Sequence, residues 1–461
     1  CFNVPENTQS GGGVSTIKDI EVNPGFWRSS ESGSIVLQCH NEDACTGGTD
    51  TGSCDAGYDG VYCATCSDGY SMSPGFVCTK CGDWGNVVIS LFILCVLIFL
   101  TGCVVYLVRG LPYCQGNRRM NLYSLRIVIV VWQIVSQFSL VTNTTYPDIY
   151  ERFIDIVGSI GFNLDWIMGL SCDLDTDFHS KLFVVTVCPM LLSFLAAVTY
   201  LFSDKSSDSF RRHVSFLLLV SFYVFSPVST TLFQMFSCET LEDGREFLRA
   251  DYSIQCTSDK HKALQGYSVF MLIMYVIGIP AAYSVIIYKN RLSFDDDNVA
   301  SSLWNSYRPG ARYFEIIELL RRVMMTGVIV FIYPDSAPQV AVTLIFAVVF
   351  IVISMTINPY AEKSSNVLST VGHLIVFFTV YISLLYKVDL SDENSDSQDA
   401  FAYVIVIVHL LLFFSIFIEL WCSIRGVKEL LDPCPCESSG SSENVGMDEV
   451  LEGQKFSRCA E

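Results

Sequence analysis

Charge is what this sequence has least of. Lys, Arg, Asp and Glu make up 16% of its 461 residues, against 51% for the hydrophobic types, and the mean hydropathy is +0.42. Soluble domains carry about 25% charged residues, so the gap is too large for a soluble enzyme of this length. The motifs of soluble catalysis are missing as well. There is no Gly-rich phosphate loop, no HExxH helix and no nucleophile elbow, and the 6 histidines are scattered. No catalytic residue, cofactor or metal is therefore expected. Basic residues are outnumbered, 28 Lys and Arg against 47 Asp and Glu, and the net charge of −19 speaks against a nucleic-acid partner. The sequence starts at Cys1 without a signal peptide, so a trimmed precursor or a longer parent chain is expected.

What the chain does have is cysteine and long apolar runs. Of its 19 cysteines, Cys1, Cys39, Cys45, Cys54, Cys63, Cys66, Cys78 and Cys81 precede the first apolar run. They sit in a Gly- and Ser-rich stretch, residues 1–82, with no helical periodicity. Dense cysteines in such a stretch point to disulfides in an oxidising compartment. Cys63-x-x-Cys66 and Cys78-x-x-Cys81 also have the spacing of zinc knuckles. The basic residues further on, however, put this stretch outside the cell, which favours bridges. A domain this small buries too little core to stand without them. Cys238 and Cys256 share one later loop and are expected to pair.

The apolar runs predict an all-α polytopic membrane protein with about nine spans behind the small disulfide-rich domain. We read them at Asn86–Val108, Leu122–Val141, Leu182–Phe202, Val214–Phe236, Tyr267–Tyr288, Tyr313–Ile332, Gln339–Ile357, Asn366–Tyr386 and Ala402–Trp421. Each is near the ~20 residues that cross a hydrocarbon layer. Three parts follow: the extracellular domain 1–82, a helical bundle 83–425 and a disordered cytoplasmic tail 426–461. Orientation comes from the basic residues. Arg109, Arg118 and Arg119, then Lys205, Arg211 and Arg212, then Lys289, Arg291, Arg308 and Arg312 mark alternate connections as cytoplasmic. The N-terminus is then outside and the C-terminus inside, as expected of the plasma membrane. The sequon Asn143-Thr144-Thr145 falls in a loop assigned outside and marks Asn143 as a glycosylation site.

Inside the bundle a few residues stand out. Pro280, in Tyr275-x-x-Gly278-Ile279-Pro280, interrupts a span and is either a gating hinge or a static kink. Tyr150–Cys172 is too polar for a span and reads as a helix lying on the outer interface or as a re-entrant segment. Arg126 lies near a cytoplasmic helix end, where snorkelling accounts for it. The sixth span is the most informative, because Glu315, Glu318, Arg321 and Arg322 are costly in a bilayer unless they pair or meet water. Spacing allows Glu318 to reach Arg321 or Arg322 on its own helix. The cluster is either a cytoplasmic anchor or a gating latch, with Asp295, Asp296 and Asp297 of the preceding linker as further partners.

Several stretches together resemble a group of large surface membrane proteins of algae, oomycetes and other protists. In that group cysteine-rich repeats of the EGF-like and ephrin-receptor-like kind precede a TRP-like membrane region. The stretches are NPGFWR (Asn23–Arg28), GYDGVYCATCSDGY, FNLDWIMGLSCD (Phe162–Asp173), SCETLEDGREFLRADYSIQC (Ser237–Cys256), YVIGIP (Tyr275–Pro280) and the sixth span with the preceding SLWNSYRPG. The resemblance implies local pairs Cys54–Cys63 and Cys66–Cys78, with Cys1 orphaned because its repeat is cut. It implies a TRP-like cation channel or its sensing subunit, with an adhesive or ligand-binding outer module. The alternatives are a cell-surface receptor or a non-conducting matrix anchor. Expected partners are the lipid bilayer, an extracellular protein or glycan, and further copies of the chain.

Overall fold

A segment in hydrocarbon must satisfy its own backbone, which in these apolar runs means helix. The computed structural model describes residues 7–9, 20–30, 33, 35–49, 52–81, 98–107, 122–142, 144, 146–161, 176–291, 300–388, 403–411 and 414. The helices are α1 (Ile98–Leu107), α2 (Leu122–Thr142), α3 (Asp148–Ile160), α4 (Phe178–Leu201), α5 (Ser207–Gln234), α6 (Asp259–Leu272), α7 (Gly278–Lys289), α8 (Phe314–Thr326), α9 (Ala337–Ile357) and α10 (Lys363–Lys387). Among the described residues six helices are long and apolar enough to cross a membrane: Ser124–Thr142 of α2, then α4, α5, the continuous run Asp259–Lys289, α9 and α10.

The expected first and ninth spans lie only partly within the described residues. The expected sixth span is not one helix. α8 stops after 13 residues at Gly327, and a 3-10 turn, Val328–Phe331, completes the run. A β-carbon on Gly327 would lie 2.5 Å from the Phe233 ring of α5. The bare backbone there makes room for that ring, at the place where helix propensity is poorest.

Between α6 and α7 the chain makes one π-helical stretch, Ile273–Ile277, and the helical run continues through it from Asp259 to Lys289. Pro280 explains it. A proline has no N–H for the preceding turn and its ring crowds the carbonyl four residues back, which a wider turn accommodates. The segment read as an interfacial or re-entrant element begins as α3. Its buried Tyr150, Ile154 and Val157 line one face at helical spacing, and residues 162–175 lie outside the described part. The main core joins α2, α5, α8, α9 and α10, with Val128, Ile134, Phe138, Ile329 and Val340 at its centre.

The cysteine-rich stretch is a ladder of short antiparallel strand pairs closed by disulfides. Cys39 bonds Cys45, Cys54 bonds Cys63, and Cys66 bonds Cys78. Cys81 is also disulfide-bonded, so all four thiols that a zinc-knuckle pair would use are taken. The Cys238–Cys256 bridge closes a three-stranded antiparallel sheet, Cys238–Thr240, Glu246–Leu248 and Asp251–Gln255. This sheet was not foreseen. It is the platform for the module: Trp27, Tyr62 and Val61 share one apolar core with Leu241, Phe247 and Tyr252. Cys1–Ile416 accordingly form one compact unit.

Candidate functional site

The charged residues of the sixth run converge inside the bundle. Glu315, Glu318, Arg321 and Arg322 are 3%, 7%, 5% and 0% exposed, so all four are packed against other parts of the protein. α8 is amphipathic in reverse, turning its charged stripe toward α2, α5 and α10. Arg321 holds Glu318 through two N–H groups, Nε at 3.0 Å and Nη2. Arg322 Nη1 donates to the Phe222 carbonyl of α5 at 3.1 Å, while its Nε lies 4.0 Å from Glu318. Glu315 accepts from the Tyr307 hydroxyl at 2.7 Å and faces Arg126 of α2 at 3.8 Å.

Arg126 is thus a member of the cluster, which the sequence did not reveal, and its Nη1 also donates to the Ser302 carbonyl at 3.2 Å. The guanidinium groups of Arg126 and Arg322 both sit 4.3 Å from the centre of the Phe222 ring, a favourable position for desolvated cations. A cavity of about 30 Å³ lies among these groups, lined also by Ser369 and His373. The expected linker partners Asp295, Asp296 and Asp297 lie outside the described residues, as does Asn143.

A second polar assembly ties the cysteine module to the 3-10 turn that follows α8 and to the start of α9. Tyr62 of the module and Tyr252 of the sheet both donate to Glu239, at 2.8 and 2.6 Å. Since the single Tyr252 proton goes to that carboxylate, His40 Nε2, 2.8 Å from the hydroxyl, is the donor in the other contact. Burial pushes both phenols up, and neighbouring Glu239 reinforces it, so both stay donors. Burial also lowers the basicity of His40. Arg249 then bridges Glu239, at 3.3 Å, to Asp335, just beyond the 3-10 turn. Burial works against its charge, but the two carboxylates more than offset this. The Asp335 amide donates to Gln339 Oε1 at 3.1 Å, and Gln339 Nε2 donates to the Ile329 carbonyl inside that turn at 2.8 Å.

A larger cavity, about 150 Å³, opens beside this assembly between module and helices, where Gly75 and Phe76 meet Glu151, Lys181, Arg249 and Asp335. No spacing rule could have found these partners, since Arg249 and Asp335 are 86 residues apart. Pro280 stands apart from both assemblies, and the cysteines Cys54, Cys63, Cys66, Cys78, Cys238 and Cys256 brace the second one. No protein-family model matches this chain, and comparisons with curated proteins and with solved structures return no match.

Proposed function

We propose that the chain is a multi-pass plasma-membrane sensor whose disulfide module faces the outside and acts on the helices through Arg249 and Asp335. The observation that carries this reading is the unbroken polar chain from Tyr62 and Tyr252, through Glu239, Arg249, Asp335 and Gln339, to the turn that ends the α8 run. A disulfide-braced module seated on such a chain, with α8 carrying buried charges from Glu315 to Arg322, has what a two-state signal needs: an outer element and a packed inner one that must move together. The module offers the face for an extracellular protein or glycan.

The test is hydrogen exchange on the full chain in lipid. Replacing Arg249 with Gln should raise exchange along Phe314–Phe331 about tenfold as well as in the sheet, because coupled elements open together. A change confined to residues 238–256 would defeat the proposal. Orientation is checked separately: a tag at Glu461 should bind antibody only after cells are permeabilised, and staining of intact cells would reverse the topology.

A second reading, a subunit of a TRP-like cation channel, is favoured by the π-helical stretch before Gly278 and Pro280, since such stretches often mark moving parts. It takes a homo-oligomer with the ion route between copies. It shares the sensing step and differs in what α8 and α7 deliver.

A further inference from the structure

We propose that the cavity beside Arg322 binds one small monovalent anion of halide size. Three arginines, Arg126, Arg321 and Arg322, line it against two carboxylates, Glu315 and Glu318, so among the described residues the group carries one more positive charge than negative. The other titratable side chains that line it, Tyr307, Tyr360 and His373, bring no negative charge. Tyr307 gives its proton to Glu315, and His373 Nδ1 is engaged with the Ser369 carbonyl at 2.6 Å.

The excess has a location. Glu318 is gripped by Arg321 and lies 4.0 Å from Arg322 Nε, and among the described residues only Nη1 of the Arg322 nitrogens has a hydrogen-bond partner. Nε and Nη2 are buried without one, although Arg322 is 0% exposed. These two N–H groups form the side-on fork by which a guanidinium grips an anion.

Water alone does not complete the site. A cavity of 30 Å³ has room for about two waters, which would satisfy the donors and leave the charge. A buried charge without a counter-charge is far costlier than an unmade hydrogen bond. The Phe222 ring and carbonyl offset part of it, but both are neutral. One halide occupies about the same space, accepts from the fork and brings the count to zero. Phosphate and sulfate are too large, and a divalent cation is of the wrong sign.

The probe is chloride itself, exchanged for gluconate at constant sodium and ionic strength, on the full chain in lipid nanodiscs. Chloride and bromide should each raise Tm saturably by about 2 °C over gluconate, and radiolabelled chloride should be retained at about one ion per chain. Arg322→Gln should abolish both effects. Ser369→Val, which fills the cavity and leaves every charge in place, should abolish retention, so the site stays testable if Arg322→Gln fails to fold. Equal Tm in chloride and gluconate with no retained label would overturn the proposal. So would a chloride effect that persists in either variant, which would assign it to the protein surface.

Discussion

Glu318→Gln is expected to be the most damaging single change in the bundle, at about 3–5 kcal/mol of stability. The side chain is 9% exposed and is the only carboxylate that Arg321 touches among the described residues. Gln keeps the shape but offers a neutral oxygen, leaving Arg321 and Arg322 as adjacent buried cations. The cost is that of uncompensated charge, not of one lost hydrogen bond, and the distinction can be measured. Replacing Glu318, Arg321 and Arg322 together by Leu, Met and Met removes both signs, and such a swap is often neutral or stabilising. Thermal unfolding of the chain in lipid should therefore show a large loss for Glu318→Gln and near recovery for the triple variant. Equal losses for both would mean that the cluster is held by shape and that its charges are incidental. The single variant also bears on the anion: with one more positive charge in excess, chloride should stabilise Glu318→Gln more than the parent chain.

The long helices were legible because lipid imposes one rule on every residue it touches, and a run such as Ala337–Ile357 satisfies it throughout. The sixth run was legible in its chemistry and not in its shape. Glu318 and Arg321 are three residues apart and their pairing follows from helix geometry. The break at Gly327 depends on the Phe233 ring, which comes from another helix and leaves no mark in the local sequence. The same holds for Arg126. A lone arginine near a helix end invites the snorkelling reading, and only the tertiary fold brings Glu315 to it. The sheet at 238–255 did leave a signal. Asp243-Gly244 with Gly244 at φ +82° is a hairpin turn, and Tyr252 and Ile254 alternate as a half-buried strand does. Cysteine spacing drew attention away from it toward the bridge alone.

That bridge sets up the second large effect. Changing Cys238 and Cys256 together to Ser should destabilise the sheet by about 3 kcal/mol, the loop-closure contribution expected for a bridge of this span; the two cysteines are 18 residues apart. The loop it closes carries both Glu239 and Arg249, so loosening it releases the module and the helix contact at once. Trypsin can report this directly at Arg245, whose side chain is 48% exposed beside the Asp243-Gly244 turn. Cleavage that follows transient opening tracks the open population, so the rate after Arg245 should rise about 100-fold, the ratio that corresponds to ~3 kcal/mol. An unchanged rate would mean that docking of Phe247 and Tyr252 on the module holds the sheet without the bridge. The serine variant is the right instrument and a reducing agent is not. Reduction would leave two thiols whose sulfurs lie, with a ring nitrogen of His261, within 4.8 Å of one another. A trace metal could then clamp the same loop and conceal the loss, whereas serine supplies no thiolate to hold it.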